Sequence, residues 1–139
     1  MEKTQISEDD RKNLVFLYRV LEAQRTGLLA SFIGQLTTLY GIEKINRKYN
    51  GCYVEIPDLS RMAIAALIIA IIAGIMALGI SKDKYNYIDE CIKKGQLKCS
   101  LTPNEDINKA NLLGIIANIY GLKAAIGFAQ REGISIAFA

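Results

Sequence analysis

A chain of 139 residues with a formal net charge of +3 has room for one domain around one hydrophobic core. It contains no histidine and no tryptophan, so the usual imidazole base, proton shuttle and preferred metal ligand are missing, and an enzyme is not expected. Seventeen basic and fourteen acidic side chains are interspersed, whereas a dedicated nucleic-acid domain would be more basic.

The apolar share is high. With glycine counted and tyrosine left out it reaches about 54%, above the usual 45–50%, and isoleucine alone occurs 21 times. The excess falls into three segments separated by charged ones, and their margins carry helix start and stop signals. The fold class expected is all-α, with three long helices at about 8–49, 58–94 and 103–131, forming a hydrophobic helical hairpin with Gly/Ala-striped packing. Residues 1–139 are read as a single helical domain.

The first thirteen residues carry seven charges and no apolar run of the kind a cleavable signal peptide needs. Helix 1 opens at Ser7, whose hydroxyl can accept from the Asp10 amide while Asp10 reaches back in an S-x-x-D capping box. Residues 1–25 form a charged amphipathic half, in which Glu8 with Lys12, and Glu22 with Arg19 and Arg25, are spaced for ion pairs of about 0.2–0.5 kcal/mol each. Leu14, Leu17 and Leu21 recur at helical spacing, and no breaker appears before Asn50-Gly51.

Helix 2 begins near Pro57 or Ser60 and holds nineteen residues, Met62 to Ile80, without a charged or polar side chain. Its seven isoleucines and two leucines favour membrane insertion by about 3–5 kcal/mol. Residues 81–102 are the polar connector, helical as far as a stop at Gly95, as one bent helix or two. Helix 3 starts with Thr102 as N-cap, Pro103 at N1 and Glu105 at N3. It ends before Gly133, beyond which residues 134–139 form a short apolar tail.

Small residues recur at steps of three and four on all three helices. They are Ala23, Gly27, Ala30, Gly34, Thr37 and Gly41 on the first; Ala63, Ala66, Ala70, Ala73 or Gly74, and Ala77 on the second; and Ala110, Gly114, Ala117, Gly121 and Ala124 on the third. Such stripes let helix backbones approach closely, within one chain or between copies. Each interior glycine costs about 0.5–1 kcal/mol, so an offsetting contact is expected. Asn104, Asn108, Asn111 and Asn118 mark one face of helix 3 as wet or hydrogen-bonded.

Taken as a membrane protein, the chain offers one strong span at 62–80, a borderline one at Thr26–Ile42 and a weak one interrupted by Lys123. The distribution of basic residues then puts the N terminus on the intracellular side. The alternation of charged helix, Ile/Ala/Gly-rich helix at 62–80, short polar connection and second Gly/Ala-striped helix at 103–130 resembles the small hydrophobic all-helical coat proteins of archaeal spindle-shaped viruses. That resemblance implies a subunit packed through apolar helices into a deformable shell around DNA, and it carries over no site residue.

No phosphate-binding, dinucleotide, nucleophile-elbow or zinc motif occurs, so no catalytic, cofactor or metal site is expected. Asp89-Glu90 and Glu105-Asp106 are adjacent and point about 100° apart, which suits helix-surface charge. Cys91 and Cys99 can bridge across the Gly95 turn if their Cα atoms come within about 7 Å; the alternative is unpaired thiols, with Cys52 also unassigned. Lys82, Lys84, Lys93, Lys94 and Lys98 are a possible non-specific DNA contact, although Asp83, Asp89 and Glu90 dilute them and a solvated connector is the favoured reading. The expected function is a self-assembling structural protein, a coat subunit of a virion present in many copies, with lipid as a further partner. The alternative is a small integral protein of the cell membrane with two or three spans.

Overall fold

The computed structural model describes residues 6–51 and 58–132, and these form three helices with no strand among them. The all-α expectation is met. Pro57, Cys52 and the tail at 134–139 lie outside the described residues.

Helix α1 is Glu8–Tyr49. The Ser7 hydroxyl accepts from the Asp10 amide at 3.2 Å, and acidic Glu8, Asp9 and Asp10 in the first turn oppose basic Arg47 and Lys48 in the last, as the helix dipole favours. No return bond from the Asp10 side chain is present among the described residues. The helix stops at Asn50, followed by Gly51 at φ +70°.

Helix α2 is one continuous element, Leu59–Lys93. Its cap is Asp58, whose carboxylate accepts from the amides of Ser60 and Arg61 at 3.0 and 3.3 Å; it falls between the two starts expected from the sequence. At the far end the Gln96 amide donates to the Cys91 carbonyl at 2.9 Å and the Gly95 amide to Ile92 at 3.0 Å. This paired closure needs a left-handed residue, and Gly95 sits at φ +73°.

Helix α3 is Thr102–Glu132, one residue earlier than expected. Ser100 is the reason: its hydroxyl accepts from the Thr102 amide at 3.2 Å, so Thr102 enters the helix instead of capping it. The Glu105 amide then donates to the Leu101 carbonyl at 2.9 Å. Pro103 still falls in the first turn, where its missing N–H has no helical partner.

α1 and α3 both pack on α2 and not on each other. Gly27 lies opposite Ala73 and Gly41 opposite Leu59, so α1 runs antiparallel to α2; Gly74 opposite Ile115 and Gly121 opposite Leu67 make α3 antiparallel to α2 as well. The α2 residues that meet α1 (Leu59, Ala73, Asp83, Tyr87) and those that meet α3 (Leu67, Gly74, Ser81) lie about 120° apart around the helix at 100° per residue. The molecule is therefore a wedge with α2 at its apex and a groove between α1 and α3.

The interior is made mostly of small side chains, with Leu59, Leu67, Ile80 and Ile115 among them. Ala63 and Ala125 are fully buried, Ala23, Ala30, Ala66 and Ala73 nearly so, and no large side chain is fully enclosed. At Gly74 an added Cβ would sit 2.9 Å from Ile115 Cγ1, whereas at Gly79 it would meet nothing within 4 Å. Gly74→Ala is thus expected to lower stability and Gly79→Ala to raise it by about 0.5–1 kcal/mol. Thermal unfolding followed by circular dichroism in one detergent measures both.

Candidate self-assembly surfaces

The stripes on α1 and α2 are used within the chain. Ala23, Ala30, Gly34 and Thr37 are buried against α2, with Gly27 and Gly41 half-buried beside them. On α2, Ala63, Ala66 and Ala73 are buried, and Ala70, Gly74 and Ala77 are half-buried. The α3 stripe is different: Ala110, Gly114, Ala117 and Ala124 are exposed, and only Gly121 is half-buried, its Cβ position 3.2 Å from Leu67 Cδ2. α3 instead meets α2 through Ile115, Ala125 and its asparagine face. Asn111 Nδ2 donates to the Ala77 carbonyl at 3.3 Å and to Ser81 Oγ at 3.1 Å. Asn108 Oδ1 is buried without a partner among the described residues.

The large apolar side chains lie outside. On α1, Leu21, Leu28, Phe32 and Leu39 point away from α2, with Leu28 68% exposed and Phe32 58%. Ile68, Ile72 and Ile75 cover the back of α2, and Leu112, Leu113, Ile116 and Ile119 the outside of α3. Only 22% of the most apolar eighteen-residue window of α2, and 11% of that of α3, is buried. The accessible surface is 10321 Å², against about 7,200 Å² for a compact monomer of this mass.

α2 and α3 are long and apolar enough to cross a membrane; α1 is not, which reverses the expected ranking of the two weaker segments. Composition gives the reason: Asn118 and Lys123 are the only amide or charged side chains in the apolar run of α3 from Leu112 to Ala129, whereas Ser31, Gln35, Thr37 and Thr38 dilute that of α1 between Arg25 and Glu43. In register, Met62–Ile80 runs beside about residues 109–127 of α3, with Lys109 and Lys123 near its two ends, and beside about residues 20–38 of α1, which include Glu22 and Arg25.

The groove between α1 and α3 holds two cavities in line along α2, of about 460 and 330 Å³. Ala66, Ala70, Ala73 and Ala77 form its floor. Gln24, Ser31, Gln35 and Thr38 line the α1 side, and Asn104, Asn111 and Asn118 the α3 side.

At the charged end, α1 is pinned to α2. Tyr87 Oη donates to Asp9 at 2.7 Å, and Lys12 Nζ lies 4.7 Å from the Tyr87 ring centroid. The Asp9 carboxylate holds the Tyr87 phenol well above its ordinary ionisation range, so it remains a donor at any physiological pH. Arg19 pairs with Asp83 at 2.8 Å; among the described residues neither Glu8 with Lys12 nor Glu22 with Arg19 or Arg25 closes the ion pair expected within α1. The reach across to α2 wins because α2 extends well beyond its apolar segment.

Lys82, Lys84, Lys93, Lys94 and Lys98 are all exposed, and Lys93 is paired with Asp89 at 2.9 Å, which raises the lysine pKa. Cys91 is buried and Cys99 exposed, and both are free thiols, so the bridge considered across the Gly95 turn is not formed. Among the described residues no three His, Cys, Asp or Glu side chains gather in a metal-ligating group.

Removing the Asn111 amide with Asn111→Ala should weaken α2–α3 packing by about 0.6–1.7 kcal/mol, the range of hydrogen bonds between membrane helices. Equilibrium unfolding in mixed micelles is the appropriate measurement. No known protein family, curated protein or solved structure matches the chain.

Proposed function

We propose that this chain is a structural, self-assembling protein, and most concretely the coat subunit of a lipid-containing virus particle. The observation that carries the reading is the inverted distribution of apolar side chains: alanine and glycine make up most of the interior, with Leu59, Leu67, Ile80 and Ile115 the large aliphatic side chains buried there, while most of the described leucines and isoleucines, and Phe32, are exposed. A soluble monomer rarely exposes apolar patches larger than about 300–600 Å², and here exposed large apolar residues run along α1 from Leu14 to Tyr49 and along α3 from Ile107 to Ile126, with Ile68, Ile72 and Ile75 between them on α2. Copies of the chain, with lipid, would cover them. The resemblance of the helix pattern to spindle-virus coat proteins suggests the particle as the setting, with the charged ends facing solvent or DNA.

A second reading, a small integral membrane protein, is favoured by one specific observation. The apolar segments of α2 and α3 lie side by side in register over about 28 Å, close to the thickness of a bilayer core. In that arrangement α1 packs along the hairpin with residues 8–19 outside the hydrocarbon and Glu22 and Arg25 just within one boundary, where their side chains can snorkel outward.

Negative-stain imaging of the purified protein with and without detergent separates the two. Particles, tubes or ordered sheets on detergent removal are expected for a coat subunit. A detergent-solubilised monomer that never forms ordered assemblies, and that returns to vesicles as dispersed protein, would overturn the coat reading.

A further inference from the structure

We propose that the groove between α1 and α3 receives α1 of a second copy of this chain, and that the insertion is mutual, giving a two-fold dimer in which each α1 lies in the other's groove. This rests on the self-assembly reading above and names the surface through which assembly begins.

Geometry makes the groove one helix wide. With α1 and α3 about 120° apart around α2, and helix axes 8–10 Å apart at each contact, the α1 and α3 axes stand about 15 Å from one another. A fourth helix resting on α2 in that gap touches α1 and α3 at the same normal packing distance. Its floor from Ala66 to Lys84 is about 27 Å long, five helical turns.

Chemistry selects a polypeptide as the occupant. Gln24, Ser31, Gln35, Asn104 and Asn118 face the groove and make no side-chain hydrogen bond among the described residues. Hydrocarbon offers such groups nothing, and between membrane helices it is side chains of this kind that bond across the interface. The back of α2, with Ile68, Ile72 and Ile75 and no polar side chain among them, has the opposite character and suits lipid.

Shape selects α1. On that helix the side chains next to the α2 contact, on the groove side, are Ser31 and Thr38; further round come Gln35 and Leu28, then Leu21 and Phe32. Placed in a partner's groove, the same sequence of positions meets the partner's α1, then its alanine floor, then its exposed α3 stripe. With the two copies parallel about the two-fold axis, the register within the chain puts Leu21 about level with Ala110, and Phe32 between Ala117 and Ala124. Large side chains thus enter hollows that nothing in the chain itself fills: at Gly114 an added Cβ meets nothing within 4 Å. Because each copy both gives and receives α1, the contact closes on itself. The surface in excess of a compact monomer, about 3,000 Å² per chain, is ample for an obligate interface of 2,000–5,000 Å² in total.

The test is sedimentation equilibrium of the full chain in a density-matched mild detergent. The wild type is expected to be a dimer. Gly114→Leu with Ala117→Leu fills the hollows from outside without touching an intrachain contact, so helicity is retained and dimerisation weakens at least about tenfold. Ile68→Ala with Ile75→Ala, on the back of α2, leaves dimerisation unchanged. In a chain whose cysteines are replaced by alanine, a disulfide is expected between copies carrying Phe32→Cys and copies carrying Ala117→Cys. A stripe-filled variant as dimeric as the wild type, or absence of that disulfide, overturns the proposal; if wild-type particles are still imaged, self-assembly stands and only this interface falls. A wild type that is monomeric in detergent and forms no particles overturns both.

Discussion

The contact between α2 and α1 is made largely by side chains hardly larger than a methyl group, and the remaining architecture depends on it. Ala23, Gly27, Ala30 and Gly34 on α1 face Ala66 and Ala73 on α2, so the backbones approach closely and dispersion and Cα–H···O contacts replace interlocking leucines. Three glycines in that stripe each weaken α1 by about 0.5–1 kcal/mol, and the close approach they permit offsets the cost. A helix pair joined through small residues has little room inside for its large ones, and of the large aliphatic side chains among the described residues only Leu59, Leu67, Ile80 and Ile115 are buried. Leu28, Phe32 and Ile75 are outside because the inner faces are already occupied by alanine and glycine.

This arrangement divides the surface into parts of different chemistry. The back of α2 carries Ile68, Ile72 and Ile75, the groove is alanine-floored with amide walls, and the end that carries Asp9, Arg19, Asp83 and Tyr87 is charged and tied by bonds between α1 and α2. Exposed ion pairs of that sort contribute only about 0–1 kcal/mol each. Their role is to fix register: they hold α1 where Gly27 meets Ala73, and so decide which faces are presented to lipid, water or another copy.

Much of the fold was legible in the sequence because its punctuation is local. Ser7 with Asp10, and Gly95 at the end of α2, act through bonds spanning a few residues. The cap at Asp58 and the early start of α3 were not anticipated, since Ser100, Thr102 and Pro103 offer competing local solutions that only the chain's path decides. The stripes were also legible, but periodicity shows which residues share a face and not what that face meets. Ala110, Gly114 and Ala117 obey the same spacing as the buried residues of α1 and nevertheless point outward, because the asparagine face of α3, anchored by Asn111 on Ala77 and Ser81, takes the place against α2. Likewise the pairing of Arg19 with Asp83 depends on two helices lying side by side, which no spacing within α1 encodes.

Outer apolar faces of this extent call for cover, by lipid or by copies of the chain. Sedimentation velocity after complete detergent removal tests this most directly. The expected result is sedimentation only as large assemblies or lipid-bound material, with no boundary at 15.4 kDa. A monodisperse 15.4 kDa monomer that stays folded and soluble in plain buffer would contradict it.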